Sequence, residues 1–243
     1  MNLNIDIGNT RNKLAIINKD SIIDSIVLDD INPEIINKIA IDYPQIRNVI
    51  LSSVKEPNPE LLKFLASKFD NFIELSSNTK IPIENLYETK KTLGKDRLAA
   101  VVGANNNFPT SNVLVIDMGT AITFDFINSK AQYVGGTISP GMKMRFKALN
   151  YYTGKLPLVK EENDFKLIGR NTKDAIISGV QSGITFEIDS YINHFKQKYD
   201  DLKTILTGGD AIFFDKKLKN TIFVNLNLNF IGLNTILEYN LRK

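Results

Sequence analysis

The sequence predicts an α/β protein with two similar halves, each a mixed β-sheet with flanking helices. The main observation is a repeat: Asp6-Ile7-Gly8-Asn9-Thr10 near the start resembles Asp117-Met118-Gly119-Thr120-Ala121 just before the middle. Each copy lies between two apolar runs typical of buried strands, Leu3 to Ile7 before Leu14 to Ile17, and Val113 to Ile116 before Ala121 to Ile127. A single Asp-x-Gly could be only a tight turn. Two copies in matching contexts favour duplication.

Helical and strand-like segments alternate along the first half, which favours a mixed sheet. Helices are predicted over Pro33 to Ile41, Pro59 to Phe69 and Asp96 to Asn105, and strands over Val49 to Ser52 and Phe72 to Leu75. The polar cluster Asn105 to Asn112 should end the third of these helices, since Asn, Pro and Ser interrupt regular structure. The predicted domains are therefore residues 1–112 and 113–243.

The second half is predicted to contain helices over Lys143 to Leu149 and Thr172 to Tyr199, with Gly183 as the point where the longer one could be interrupted. Strands are predicted at Thr204 to Leu206 and Thr221 to Leu226, followed by a short C-terminal helix.

Composition excludes several classes of function. Hydrophobic residues make up 43% of the 243 residues, the net charge is only +3 with basic and acidic residues interspersed, and there is no cysteine. The charge pattern argues against nucleic acid as a partner. The lack of cysteine excludes disulfides, thiolate zinc sites and cysteine nucleophiles. No charged leader and no apolar run of about 20 residues is present, so we expect a cytoplasmic protein with no membrane partner.

The two Asp-x-Gly turns carry chemistry suited to phosphate. Glycine lets the turn backbone approach a ligand, and the N–H groups with the Asn9, Thr10 or Thr120 side chains can donate to phosphate oxygens. Asp6 and Asp117 can hold a hard cation. The sequence therefore predicts a nucleotide cleft.

A second candidate site is Gly94-Lys95-Asp96-Arg97 at a predicted helix start. The positive end of the helix favours an ionised Asp96, and the forked donors of Arg97 suit a substrate carboxylate or amide. The alternative is an N-terminal helix cap beside a solvated arginine.

Three glycine-containing segments are weaker candidates: Gly135 to Gly141, Thr207 to Ala211, and Gly169 to Thr172. The first two could admit a substrate, a base or a sugar, although a plain turn explains each. For the third segment, an N-cap at Thr172 is the preferred interpretation.

In this order, the segments resemble type III pantothenate kinases, a branch of the acetate and sugar kinase, Hsp70 and actin superfamily. The resemblance spans Asp6-x-Gly8-Asn9-Thr10, Tyr87 before Gly94-x-Asp96-Arg97, Asp117-x-Gly119-Thr120-Ala121-x-Thr123-x-Asp125, and Gly135-Gly136-x-Ile138-x-Pro140-Gly141. One departure is Leu86, where many members have proline before the tyrosine. The resemblance implies two duplicated ribonuclease H-like, actin-like ATPase domains.

The resemblance also implies an activity, the ATP-dependent phosphorylation of pantothenate in the first step of coenzyme A biosynthesis. By the same resemblance, the ATP phosphates are lined by Asp6, Ile7, Gly8, Asn9, Thr10, Arg11, Asn12 and Lys13, with a further ATP contact from Thr120. Asp117 would hold a monovalent cation, K⁺ or NH₄⁺, and Mg²⁺ would accompany ATP. Pantothenate would be bound by Tyr87, Gly94, Lys95, Asp96, Arg97 and Thr172.

Asp96 would be the catalytic base, and the family resemblance implies a homodimer with the substrate pocket near the subunit interface. Phosphoryl transfer needs mainly alignment and charge stabilisation, so a chain without cysteine suits it. The single histidine, His194, lies in a polar run and is predicted to be solvated.

Two alternatives remain at the level of sequence. One is an exopolyphosphatase-like phosphohydrolase, against which the Asp96–Arg97 pair argues. The other is a non-catalytic transcription accessory factor on the same fold, against which the absence of a basic stripe argues. P-loop and dinucleotide-binding motifs are absent.

Overall fold

A computed structural model of the chain describes residues 1–242 and divides into two compact units. The first unit contains Met1–Pro109, Ala131–Tyr133 and the segment from Asn227 onward. The second unit contains Thr110–Lys130 and Val134–Leu226. The first break in the chain falls within the polar cluster Asn105 to Asn112.

The first unit contains a five-stranded sheet and four α-helices. Its elements are β1 (Asn2–Ile7), β2 (Asn12–Asn18), β3 (Ser21–Leu28), α1 (Pro33–Asp42), β4 (Asn48–Ser53), α2 (Pro59–Lys68), β5 (Asn71–Glu74), the two-residue strand β6 (Glu84–Asn85), α3 (Lys95–Asn107) and, from the C-terminal end, α7 (Leu228–Leu241). The sheet order is β3-β2-β1-β4-β5. β1 pairs antiparallel with β2 and parallel with β4, and β4 pairs parallel with β5.

Local signals explain where the first helices begin. Asn32 accepts a hydrogen bond from the Ile35 N–H at 3.0 Å, and Pro33 follows it, so the α1 start has both a side-chain cap and a preset backbone. Asn58 and Pro59 repeat this arrangement at α2.

The second unit also contains a sheet with helices. Its elements are β7 (Val113–Met118), β8 (Ala121–Ile127), β9 (Gln132–Pro140), α4 (Met142–Tyr151), α5 (Thr172–Lys196), β10 (Lys203–Thr207), α6 (Ala211–Asp215) and β11 (Phe223–Val224). The strand order is β11-β10-β7-β8-β9. The first two residues of β9, Gln132 and Tyr133, pair in parallel with β6 and belong to the first unit.

The two sheets have the same topology. Reading from β3 to β5 and from β9 to β11, each sheet places its strands in the order third, second, first, fourth, fifth. In both sheets the first and second strands are antiparallel, whereas the first and fourth are parallel. The predicted duplication and the α/β class are therefore confirmed.

The C-terminal helix joins the first unit, whereas the division at residues 112 and 113 assigns it to the second half. α7 crosses α3 at two glycines: a Cβ at Gly232 would lie 1.7 Å from the Ala99 carbonyl oxygen, and a Cβ at Gly103 would lie 2.4 Å from that of Leu228. Only glycine allows the two helix backbones to approach so closely. α7 is 14 residues long, so it is not the short helix predicted.

Three other expectations differ from the structure. α5 runs for 25 residues without a break at Gly183, because flanking residues such as Ile184 are buried and hold the helix on its core. Gly135 and Gly136 lie within strand β9. The predicted strand Thr221 to Leu226 contains only Phe223–Val224 as a strand.

Among residues 1–242, no helix combines the length and the apolar character needed to cross a membrane.

Candidate active site

The first phosphate turn joins β1 to β2. Asp6 lies near the end of β1, paired in register with Lys13 on β2. The Gly8 N–H donates to the Arg11 carbonyl at 3.2 Å, and a Cβ at Gly8 would lie 2.7 Å from that oxygen. Asn9, Thr10 and Arg11 are exposed. The turn is therefore tight at its base and open at its tip, where backbone and side-chain donors face solvent.

Asp6 has an unusual environment for a carboxyl group. Burial raises the pKa of Asp6 from 3.8 to about 6, and the Asp96 carboxylate adds to this rise, while Lys13 lowers it. Asp6 Oδ1 is shielded from solvent and has no hydrogen-bond partner. Two candidate residues from separate motifs, Asp6 and Asp96, thus lie within electrostatic range of each other.

Two neighbours of Asp6 were not predicted from the sequence. Ser52 on β4 stands opposite Asp6 in the parallel register, and Asn229 lies on the first turn of α7. Both lower the pKa of Asp6 through their polar side chains, although Ser52 Oγ forms no hydrogen bond of standard length. No local motif marks these residues. Only the alignment of β1 with β4 could have indicated Ser52.

Asp96 lies in the first turn of α3. Its Oδ1 accepts a hydrogen bond from the Arg97 N–H at 2.8 Å, and a Cβ at Gly94 would lie 2.5 Å from the same oxygen. Gly94 is the N-cap residue and offers no side-chain bond. Asp96 therefore satisfies a backbone donor at the start of the helix.

Arg97 is buried, with only 6% of its surface exposed, against two tyrosines. Its Nη2 donates to the Tyr133 hydroxyl at 3.1 Å, and its guanidinium lies 5.5 Å from the centre of the Tyr87 ring. The two tyrosine rings are stacked, 6.0 Å apart and 7° from parallel. A solvated arginine, the alternative considered for this position, is therefore wrong. Tyr133 was not predicted, because it becomes a neighbour only through the β6–β9 pairing.

The Lys95 side chain contacts a different set of residues from those around Asp6 and Arg97. Its Nζ lies 3.8 Å from Glu74 Oε1, and it lines a cavity of about 270 Å³ together with Ser76, Thr79 and Lys91.

The second phosphate turn lies between β7 and β8 in the second unit. The Gly119 N–H donates to the Ala121 carbonyl at 3.1 Å, much as in the first turn. A Cβ at Gly141 would lie 2.4 Å from the Thr120 carbonyl oxygen, and one at Gly208 would lie 2.4 Å from Asp117 Oδ1. Gly208 also has a φ of 89°. Glycine is therefore required at both positions for loops to approach this turn.

Thr172 is exposed at the first residue of α5. The N-cap is its neighbour Asn171, whose side chain accepts from the Asp174 N–H at 2.9 Å, so the predicted cap at Thr172 is displaced by one residue. His194 is exposed, as predicted.

The structure thus brings Asp6, Lys13 and Asp96 together, and separately Tyr87 and Arg97, all within the first unit. Asp117, Thr120 and Thr172 belong to the second unit. Across residues 1–242, no group of three or more histidine, aspartate or glutamate side chains is arranged to hold a metal ion.

The fold, with an Asp-x-Gly turn in each of two sheets of the same topology, is of the actin-like class. The structure is similar, with a TM-score of 0.62 and 10% identity over the whole of both chains, to a protein from Sinorhizobium meliloti assigned as a 2-dehydro-3-deoxygalactonokinase. The family is given by sequence: the model of the type III pantothenate kinase family matches residues 2–194. The chain belongs to the type III pantothenate kinase family.

A curated relative supports the same family. The type III pantothenate kinase of Phocaeicola vulgatus is 45% identical over 240 residues, covering 99% of both chains. The predicted enzyme class, a pantothenate kinase, is therefore confirmed, and the phosphohydrolase and accessory-factor alternatives are not favoured.

One similar solved structure is named as a transcriptional activator, which is related to the second alternative, a transcription accessory factor. A protein from Campylobacter jejuni assigned to the Baf family of transcriptional activators has a TM-score of 0.62 and 24% identity, with 98% of each chain covered. At this identity the likeness shows the fold alone.

Proposed function

We propose that this chain transfers the γ-phosphate of ATP to the primary hydroxyl of pantothenate, giving 4'-phosphopantothenate in the first step of coenzyme A biosynthesis. Membership of the type III pantothenate kinase family gives the reaction. The structural observation that carries the assignment is the proximity of Asp6, on a phosphate-type turn, to Asp96, which starts α3 beside Arg97. A nucleotide turn and a substrate carboxylate motif thereby share one site.

ATP binding is assigned to the first turn, Asp6 to Lys13, with a further contact from Thr120. The exposed tip of the turn, Asn9 to Arg11, supports this assignment, because backbone N–H groups at an exposed glycine-containing turn can donate to phosphate oxygens. Lys13, which already lowers the pKa of Asp6, supplies positive charge on the same hairpin.

Pantothenate binding is assigned to Tyr87, Gly94 to Arg97, and Thr172. Asp96 accepts the proton of the attacking hydroxyl in this proposal, and Arg97 holds the substrate carboxylate or amide. The hydrogen bond of Arg97 to the Tyr133 hydroxyl and its contact with the Tyr87 ring support this role, because a guanidinium that is already oriented loses less side-chain freedom on binding.

Two cations belong to the proposal. Asp117 would hold K⁺ or NH₄⁺, and the absence of a Cβ at Gly208, which would otherwise crowd Asp117 Oδ1, is consistent with a ligand there. Mg²⁺ would accompany the ATP phosphates near Asp6, where the Asp6 Oδ1, Ser52 Oγ and Asn229 Oδ1 atoms are shielded oxygens without hydrogen-bond partners. Oxygen ligands suit both ions, and Mg²⁺ would neutralise phosphate charge.

The proposal includes a homodimer that acts in the cytoplasm, where ATP is available. Large exposed apolar side chains in the second unit support an interface close in sequence to Thr172; they are Tyr151, Tyr152, Leu167 and Ile168. Light scattering at assay concentration should give twice the mass of the chain. A fully active monomer would contradict this part of the proposal.

The activity is tested by a coupled ADP-release assay with and without pantothenate. We expect ADP release to depend on pantothenate and mass spectrometry to detect a singly phosphorylated product. ATP hydrolysis that is indifferent to pantothenate would instead indicate a phosphohydrolase, and no turnover at all would indicate a non-catalytic protein.

A further inference from the structure

We propose that a basic cavity in the first unit binds a small phosphate-bearing anion with several negative charges, of the pyrophosphate class. The cavity shares no lining residue with the ATP turn proposed at Asp6 to Lys13, so the inference goes beyond the proposed function.

Charge of one sign surrounds this basic cavity, which has a volume of about 270 Å³. No aspartate or glutamate is among its lining residues, whereas four lysines are; these are Lys80, Lys90, Lys91 and Lys95. They come from three separate parts of the chain, namely the loop after β5, a 3₁₀ turn at Lys90–Thr92 and the first residue of α3. The fold, rather than a run of basic sequence, therefore gathers these charges.

The lysines at the basic cavity have little counter-charge in the protein. Lys95 Nζ lies 3.8 Å from Glu74 Oε1, a long ion pair. Among residues 1–242, no carboxylate forms an ion pair with Lys80, Lys90 or Lys91. Neighbouring like charges repel one another, and an anion in the cavity would relieve that repulsion.

Hydrogen bonds hold one wall of the basic cavity in place. The Ser76 N–H donates to Thr79 Oγ1 at 2.9 Å, and the Thr79 N–H donates to the Ser76 carbonyl at 3.2 Å. The next residue, Lys80, accepts at its carbonyl from Asn240 Nδ2 of α7 at 2.8 Å. Because this loop is already ordered, a ligand would lose less binding energy to ordering the wall.

The remaining lining and the size of the basic cavity favour a small anion. Ile83, Leu93 and Leu98 line it with buried apolar side chains, which strengthen charge interactions by excluding water. The volume is at the small end of the range for small-molecule sites, about 300–1,000 Å³. Lysine ammonium groups and the Ser77 hydroxyl are donors that suit phosphate oxygens. A diphosphate group matches this chemistry better than a singly charged carboxylate does.

The experiment is a calorimetric titration of the whole chain with pyrophosphate at constant ionic strength. Mg²⁺ is left out, so that the proposed ATP site lacks its cation. The test variant combines Lys80→Gln with Lys91→Gln. The matched control combines Lys63→Gln with Lys68→Gln, because these lysines are also exposed, lie in the same unit on α2 and give the same change in net charge. Melting temperatures check that both variants fold.

We expect the Lys80 and Lys91 double variant to bind pyrophosphate roughly tenfold or more weakly than the parent, because two charge-assisted hydrogen bonds are lost. The Lys63 and Lys68 control should stay within about twofold of the parent. Equal affinities in the two double variants would overturn the inference, since binding would then depend on overall charge or on the ATP turn. A parent that binds no pyrophosphate would overturn it as well.

A second variant separates charge from shape. Lys80→Arg with Lys91→Arg keeps both positive charges and should restore pyrophosphate affinity to within about threefold of the parent. A loss as large as that of the glutamine variant would contradict an electrostatic site. Binding is measured directly here, so a parent that binds pyrophosphate but does not phosphorylate pantothenate would refute the proposed function and leave this inference intact.

Discussion

Arg97 donates a hydrogen bond to the Tyr133 hydroxyl at 3.1 Å, so the start of α3 is tied to the first residues of β9. The stacked ring of Tyr87 lies below the same guanidinium. Because the arginine is buried, protein groups, including these two tyrosines, orient it rather than solvent. The substrate-binding part of the proposed site therefore includes a residue, Tyr133, that is remote in sequence from the Gly94–Arg97 motif.

Tyr133→Phe should weaken pantothenate binding. The change removes the hydroxyl that accepts from Arg97 and keeps the ring stacked on Tyr87, so we expect the KM for pantothenate to rise about three- to tenfold, equivalent to roughly 1 kcal/mol, with little change in the KM for ATP. Steady-state kinetics measure both constants. Tyr43→Phe is the control, since it removes another tyrosine hydroxyl, bound to Asp24 at 2.9 Å, away from these motifs. Equal effects of the two substitutions would contradict the role of Tyr133.

Asp96→Asn should reduce turnover while ATP binding is retained. Asparagine keeps the size and can still accept from the Arg97 N–H, but it cannot take the proton of the substrate hydroxyl. A positioned base contributes roughly 10²–10⁴-fold, so kcat should fall by that range. Calorimetry with ATP supplies the control measurement. Turnover close to the parent rate would mean that the Asp96 carboxylate only caps the start of α3 and is not the catalytic base.

The cation proposed at Asp117 predicts that activity responds to the choice of salt. At constant ionic strength, activity should rise with K⁺ or NH₄⁺ and much less with Na⁺, because the larger ions match a site lined by oxygen ligands at longer distance. Asp117→Asn should blunt this response by removing the charge. Equal parent rates in the three chloride salts would refute the assignment.

Asp6 makes the free energy of unfolding depend on pH. Because burial and Asp96 raise the pKa of Asp6 to about 6, the folded protein keeps this proton in a range where the unfolded chain has released it. The protonated Asp6 carboxyl therefore adds its full contribution to the free energy of unfolding below pH 4. This contribution, about 3 kcal/mol in total, is lost as the pH rises through 6. Asp6→Asn cannot ionise, so without ligand it should be more stable than the parent at pH 7.5 and nearly equal at pH 4.

Urea denaturation at several pH values measures this difference. Asp70→Asn is the control, because its carboxylate is exposed on the surface, 3.9 Å from Arg47 Nε. It should follow the parent at every pH. If the Asp6→Asn protein is no more stable than the parent at pH 7.5, ionisation of Asp6 does not destabilise the folded protein and the prediction is wrong.

Gly232→Ala should disrupt the packing of α7 on α3. The new Cβ would lie 1.7 Å from the Ala99 carbonyl oxygen, a backbone atom that cannot move without displacing α3. We expect a loss of about 3 kcal/mol or more in thermal or urea unfolding. Gly179→Ala on α5 is the matched control, since its Cβ meets no atom within 4 Å and alanine should stabilise the helix by up to about 1 kcal/mol. Similar effects at both glycines would argue against the close crossing.

Local sequence was enough to predict the elements whose signals lie within a few residues. Asn32 with Pro33 and Asn58 with Pro59 mark the starts of α1 and α2, since each pair caps and presets its own helix. The two Asp-x-Gly turns are also local, because a strand, a turn and a second strand fold back on themselves. The duplication, and with it the class of fold, therefore follows from the amino-acid sequence.

Tertiary structure alone decided which distant residues meet these turns. Ser52 reaches Asp6 through the pairing of β1 with β4, Tyr133 reaches Arg97 through β9, and Asn229 reaches Asp6 through α7. α7 joins the first unit because Gly103 and Gly232 let two helices approach at backbone distance, although about half the chain separates them. The reason is physical: helix caps and turns depend on neighbours along the chain, whereas the partners of a buried carboxyl or guanidinium depend on the packing of the whole unit.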